Sequence, residues 1–302
     1  MKNPTSNWLG YYLLVGVIWG CSFLFIAMGN EFLTTSGVAF WRMALGGIPM
    51  LILALARGLR FPKQSIAWFH LFVTSLCMNS IPAVLFSFAE RHVTSGFAGI
   101  MNAATPIATI LMILVFFRAE KPSAQVLTGL AIGLIGVLIV LAVWNGVGAN
   151  SPEAVAALAG AVLLYGIGGP YARRYISPMG LDGSVQVSAQ VLLAGLALSP
   201  FYFSGPLLTA TPSMWGVLGM LVFGVMGTGF AYIWYYRLMA LAGSAVANAV
   251  TFLSPVVAVL VGAAALGERV TWNEILGGVI VIFGAAFGQG RFNNLLFRRS
   301  RD

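Results

Sequence analysis

Apolar residues run along this chain in stretches of about 20, the length that carries an α-helix across the roughly 30 Å hydrocarbon core of a bilayer. Polar and charged residues gather in the short gaps between them. The stretches lie near Trp8 to Met28, Ser36 to Ala56, Ile66 to Ala89, Ser95 to Phe117, Ala124 to Trp144, Glu153 to Ile176, Gly183 to Phe203, Met214 to Met239, Ala245 to Leu266 and Trp272 to Phe287. The gaps carry helix stop and start signals, as in Arg57-Gly58-Leu59-Arg60-Phe61-Pro62-Lys63 and Arg118-Ala119-Glu120-Lys121-Pro122-Ser123. The pattern predicts ten membrane-crossing helices, joined by loops too short to fold as a soluble domain.

The second half of the pattern repeats the first. Arg42 and Gln190, Gly47 and Gly195, Glu120 and Glu268, Gly129 and Gly277, and Gly136 and Gly284 are each 148 apart (277 minus 129). Ser95 and Ser244, and Pro106 and Pro255, are 149 apart (255 minus 106), so a one-residue insertion separates the two alignments. Five helices per repeat is an odd number, so the second copy enters the bilayer from the opposite side. The expected architecture is all-α and polytopic, two inverted five-helix repeats around a central cavity, spanning 1–147 and 148–302. Secondary transporters share this plan and bind substrate near the midplane between the repeats.

Composition agrees: 59% of residues are hydrophobic and 8% charged, with a mean hydropathy of +0.92, against roughly a quarter charged in soluble domains. The formal charge of +8 reflects Lys and Arg in alternate gaps, the pattern that orients a membrane protein rather than one that binds nucleic acid. With the amino terminus in the cytoplasm, that side receives Lys2, Arg57, Arg60, Lys63, Arg118, Lys121, Arg173, Arg174, Arg269 and the basic tail through Arg301. The far side receives Arg91 and Arg237. Both termini are therefore expected to be cytoplasmic, in a bacterial cytoplasmic membrane whose anionic headgroups the tail would meet. The first apolar stretch is longer than a signal-peptide core and completes a repeat, so it is expected to be retained. Cys21 and Cys77 lie inside stretches and read as small packing residues.

Trp19-Gly20-Cys21-Ser22, Arg42, and the run from Ser95 through Pro106 to Glu120, echoed by Ser244 through Pro255 to Leu266-Gly267-Glu268 and then Gly277 and Gly284, give the chain a family likeness. In their order and doubled occurrence they resemble the EamA-type branch of the drug/metabolite transporter superfamily. The resemblance implies a basket of spans one to four and six to nine around the substrate cavity, with spans five and ten at the periphery. It also implies export of small metabolites, amino acids including aromatic ones being the best single guess. Gly129 and Gly133, and Gly284 and Gly288, independently give spans five and ten small-residue faces for close helix packing, or for a homodimer.

Arg42 is the most unusual placement, about 10 Å inside the end of the second stretch at 1.5 Å per residue. An intramembrane charge is a functional candidate by default, although bracing neighbouring carbonyls or snorkelling outward would also account for it. Its repeat counterpart Gln190 is uncharged, an asymmetry that favours recognition of one anionic group. Trp19 and Tyr165, which correspond at an offset of 146 (165 minus 19), offer aromatic walls, and the glycines beside them permit close approach. Ser22, Asn79, Asn102, Gln190, Tyr232 and Asn248 are further polar groups for a substrate or for helix-to-helix bonds. The cluster Tyr232, Trp234, Tyr235 and Tyr236 is placed near the outer interface, its outer members as an aromatic belt. Pro106 and Pro255 leave the carbonyls of Asn102 and Thr251 without helical partners and mark bends or hinges.

His70 and His92 lack partners at ligand spacing, so neither metal nor cofactor is expected. The carboxylates fall at or near span ends, which favours a facilitator or exchanger over an obligate proton antiporter. Purines, nucleotide-like metabolites and organic cations stay open as substrates. A channel or a structural membrane protein stays open as another class; an enzyme does not, because no nucleophile, metal set or carboxylate pair converges.

Overall fold

A computed structural model describes residues 7–112, 115, 124–140, 144 and 151–288. Among these every regular element is helical: α1 Asn7–Asn30, α2 Thr35–Ala56, α3 Ser65–Ser75, α4 Ile81–Ala89, α5 Ser95–Asn102, α6 Thr105–Met112, α7 Ala124–Val140, α8 Pro152–Tyr175, α9 Gly183–Phe203, α10 Met214–Val222, α11 Ala231–Asn248, α12 Leu253–Leu266 and α13 Trp272–Gly288. Six helical runs are long and apolar enough to cross a membrane, α3 and α4 counting as one run and α10 with the start of α11 as another. Many large apolar side chains remain exposed around them, including Ile52, Leu196, Phe201 and Leu260. In a soluble protein such a surface would aggregate; in lipid it is the expected exterior.

Helix starts follow local chemistry. The hydroxyls of Thr34, Thr94, Ser151 and Ser213 accept hydrogen bonds from Gly37 N, Phe97 N, Ala154 N and Gly216 N, and the Asp182 carboxylate does the same for Ser184 N. Glycines then let backbones meet. A Cβ on Gly284 would lie 2.5 Å from Gly133 N and 2.8 Å from Gly129 O, and one on Gly136 would lie 2.7 Å from Val281 N. The small-residue faces of α7 and α13 thus pack on each other within one chain.

Neighbouring contacts fix relative direction. Gly29 faces Met220 and Trp19 faces Tyr235, so α10 and α11 run antiparallel to α1; Gly16 faces Leu253 and Gly20 faces Val257, so α12 runs parallel to it. Helix α11 continues to Asn248, past the break expected at 240–244, because that segment has neither proline nor charge to stop it. A 3₁₀ turn, Ala249–Phe252, follows.

Charges separate to the two ends of the bundle. One end carries Glu31, Glu90, Arg91, Glu153 and Glu268, the last accepting a hydrogen bond from Ser95 N. The other carries Arg57 paired with Asp182 at 3.4 Å, with Arg60, Lys63, Arg173 and Arg174. Arg269 follows Glu268 and so belongs to the first end, whereas Arg237 is one turn beyond Ile233, whose side chain lies beside Gly183 at the second. The sequence expectation had these two arginines exchanged, and the swap leaves the basic excess where it was. Toward the acidic end the interior is filled by Phe23, Ile26, Phe86, Phe97, Met101 and Phe223.

Replacing Gly284 by Val should force α7 and α13 apart at backbone contacts, costing about 1–3 kcal/mol. Thermal unfolding of the purified protein should show a lowered Tm; an unchanged Tm would contradict the packing.

Candidate functional site

Two runs lose their α-helical register near mid-length. Leu76–Ser80, between α3 and α4, and Phe223–Phe230, between α10 and α11, are π-helical. Such turns leave carbonyls misaligned, and lipid cannot satisfy them. Side chains do. Ser80 Oγ donates to Ser75 O at 3.2 Å and Thr228 Oγ1 to Phe223 O at 3.4 Å, the same five-residue step in both. Tyr232 OH donates to Met78 O at 3.1 Å, and Trp19 Nε1 to Gly227 O at 3.2 Å.

Arg42 projects from α2 against the second π turn. Its Nε donates to Thr228 Oγ1 at 3.0 Å and its guanidinium carbon sits 4.6 Å from the Phe223 ring centroid, with the residue 8% exposed. Gly46 makes the approach possible: a Cβ there would lie 2.9 Å from Gly224 O. The corresponding contact from α9 runs to the first π turn, where Gln190 Nε2 donates to Asn79 Oδ1 at 2.5 Å and Tyr236 OH reaches Gln190 Oε1 at 3.3 Å. Arg42 and Gln190 are 148 apart, as are Ser80 and Thr228 (228 minus 80).

A cavity of about 100 Å³ lies between these contacts. Trp19, Ser22, Arg42, Asn102, Tyr165 and Tyr232, six of the residues singled out from sequence, line it. Phe23, Ile26, Met78, Phe86, Thr105, Thr109, Gly169, Tyr235 and Thr251 complete the wall. Asn79 and Gln190 are buried behind the wall and bonded to each other, with Asn79 Nδ2 left without a partner among the described residues. The Asn248 side chain lies outside what the structure describes. Tyr232 and Tyr235 pack on Trp19 with ring centroids 5.7 and 5.2 Å away. These tyrosines are cavity residues, not an interfacial belt; counting from the α10 end places them past mid-membrane, a step that the tyrosine clustering obscured. Thr105 and Gly169, which the sequence did not single out, adjoin Pro106 and the glycines at 166 and 168, the signals that mark them.

Pro106 and Pro255 stand in the first turns of α6 and α12, where a missing N–H costs nothing. The helices are broken there rather than bent. The carbonyl that Pro106 frees, Asn102 O, accepts from Thr105 Oγ1 at 2.7 Å.

Among the described lining residues Arg42 alone is charged. Glu31 is exposed and makes no ion pair with it. Glu90 does turn inward, at the acidic end just beyond α4: its Oε2 accepts from Ser95 Oγ at 3.5 Å and its Oε1 is buried without a partner among the described residues. Glu268 sits beside it, accepting from Ser95 N at 2.9 Å and Gly96 N at 3.4 Å. Burial first, then the Glu268 carboxylate, hold the Glu90 carboxyl well above its ordinary value of 4.5, with Ser95 and Arg42 opposing. Among the described residues no group of metal-ligating side chains forms.

Residues 6–142 and 153–287 each match the EamA-like transporter family. The inner membrane transporter YedA of Escherichia coli K12 is 27% identical over 269 residues, which cover 88% of this chain and 85% of that protein. A probable terminal-alkyne amino-acid exporter of Streptantibioticus cattleyicolor is 25% identical over 291 residues, 94% of this chain and 93% of the relative. A crystal structure with 17% identity superposes with a TM-score of 0.69, covering 98% of this chain and 99% of its own. That likeness supports the fold.

Because its folded-state pKa is raised, Glu90 contributes stability that is fully present below about pH 4.5 and lost as pH rises through the folded value. The Tm of the purified protein should therefore fall as pH rises above about 4.5. Glu90→Gln should flatten that slope and raise the Tm at neutral pH. An unaltered slope in the variant would contradict the assignment.

Proposed function

The chain belongs to the EamA-like transporter family, and we propose that it moves small metabolites combining an anionic group with an apolar body, amino acids including aromatic ones foremost, by alternating access. It is a multi-pass membrane transporter and not an enzyme. The observation that carries the substrate reading is Arg42, the one charge among the described cavity walls, flanked by Trp19, Tyr165, Tyr232 and Phe86. A guanidinium pairs with a carboxylate through two parallel hydrogen bonds, and the rings supply a dry surface for an apolar side chain. The relative named as an amino-acid exporter supports the same class. Nucleotide-like anions are the second reading, favoured by the same charge between aromatic walls; organic cations are disfavoured by it.

The proposed architecture is ten crossing helices in two inverted repeats, 1–147 and 148–302. It is supported by the two family matches, by α12 running parallel and α10–α11 antiparallel to α1, and by the paired π turns gripped from α2 and α9. The basic end is assigned to the cytoplasm, with both termini there and export as the direction. The void is smaller than the roughly 300 Å³ of common small-molecule pockets, so admitting a substrate requires the helices to part. The breaks at Pro106 and Pro255 are the assigned hinges, and Asn79 with Gln190 positions the first π turn. With no acid among the described residues of the cavity wall, a facilitator or exchanger mechanism is favoured.

In proteoliposomes, Arg42→Ala should reduce flux of the anionic substrate at least about tenfold, as loss of a charge-assisted bond implies, with helical content unchanged by circular dichroism. Arg42→Lys should fall between, retaining charge without the bidentate fork. Unchanged flux in Arg42→Ala would overturn the proposal.

A further inference from the structure

A second concavity, of about 580 Å³, opens on the flank of the bundle between α2, the α3–α4 run and α9. Leu76, Ile81, Leu198 and Phe201 form its apolar wall, and Thr35 and Ser36 stand at its mouth. Ile81 is 41% and Phe201 70% exposed, so the groove faces the lipid rather than the central cavity. Along the α3–α4 run the lining extends from Val84 to Leu76, 8 residues (84 minus 76), roughly 12 Å of helix. That is close to the depth of one leaflet, about 15 Å of hydrocarbon.

The mouth carries a cation, on an end of the bundle whose other charges are mostly acidic. Arg91 Nε donates to Thr35 Oγ1 at 3.1 Å and Arg91 Nη2 to Leu33 O at 2.6 Å, which fixes the guanidinium beside the groove with further N–H groups unspent. Among the described residues Arg91 makes no ion pair. The positive end of the α2 dipole adds to the same field. A polar metabolite would have to cross hydrocarbon to enter the apolar slot, whereas an acyl chain fills it at no such cost.

We propose that this groove binds one phospholipid with an anionic headgroup, its phosphate held by Arg91 and the hydroxyls of Thr35 and Ser36 and one acyl chain lying along Leu76, Ile81, Leu198 and Phe201. This is a site on the carrier's flank, independent of the transported substrate. One unpaired basic residue at a membrane surface favours an anionic over a zwitterionic lipid by about fivefold.

Native mass spectrometry of the detergent-purified full chain, titrated with phosphatidylglycerol and with phosphatidylcholine of identical acyl chains, tests it. One retained phosphatidylglycerol per chain is expected, bound about fivefold more tightly than phosphatidylcholine. Arg91→Gln should abolish the preference, and Ala197→Leu, which narrows the slot, should weaken both lipids. Arg269→Gln, at the other exposed arginine of that end, should change neither. Glycerol phosphate, a headgroup without chains, should not displace the lipid. Graded uptake of many lipids without dependence on these variants, an undiminished preference in Arg91→Gln, or displacement by glycerol phosphate would overturn the proposal.

Discussion

Lipid offers a helix no hydrogen-bond partner, so every departure from helical register must be repaired by the protein itself. The central cavity lies where those repairs converge. The π turns at Leu76–Ser80 and Phe223–Phe230 hand carbonyls to Ser80, Thr228, Tyr232 and Trp19, and the break before Pro106 hands one to Thr105. Thr105, Trp19 and Tyr232 are at once the groups that satisfy irregular backbone and the groups that face the void. A bundle of unbroken α-helices would need none of these repairs.

Arg42 depends on the same arrangement. Its Nε bond to Thr228 needs the hydroxyl that also caps Phe223 O, and its cation lies over the ring of that same Phe223. Burying a guanidinium without a carboxylate is costly in hydrocarbon; a hydroxyl and a ring face offset only part of that cost. A substrate anion would complete the compensation, which ties recognition to the π turn. Gln190 meets the first π turn from α9 through Asn79. The contact from α2 thus puts a charge on the cavity wall, whereas the contact from α9 is a neutral amide pair buried behind it.

Much of this was legible in the chain. The apolar stretches marked the six membrane-length helical runs because their length and the charge at their ends are set by the bilayer, and Arg42, Trp19 and Tyr165 stood out by chemical type alone. The glycine pairs marked α7 and α13 as close-packing faces, while leaving open whether each would meet the other or a second chain. Depth was harder to read: Tyr232 and Tyr235 look interfacial until the direction of their helix is counted, and Arg269 and Arg237 changed ends for the same reason. At the first π turn Pro82 was a signal in the sequence, since its missing N–H frees Met78 O, the carbonyl that Tyr232 satisfies, whereas Phe223–Phe230 carries no proline. A position at a span end left open whether Glu31 or Glu90 turns inward; that Glu90 does depends on Ser95 and on Glu268 from the far half of the chain.

The central claim is that one buried cation selects an anion within an aromatic wall. The most direct measurement compares proteoliposome flux of an aromatic amino acid with that of the amine left when its carboxylate is removed, all else equal. Saturable flux of the amino acid, with flux of the amine at least about tenfold lower, is the predicted result. Equal flux of the two, or faster flux of the amine, would contradict the account.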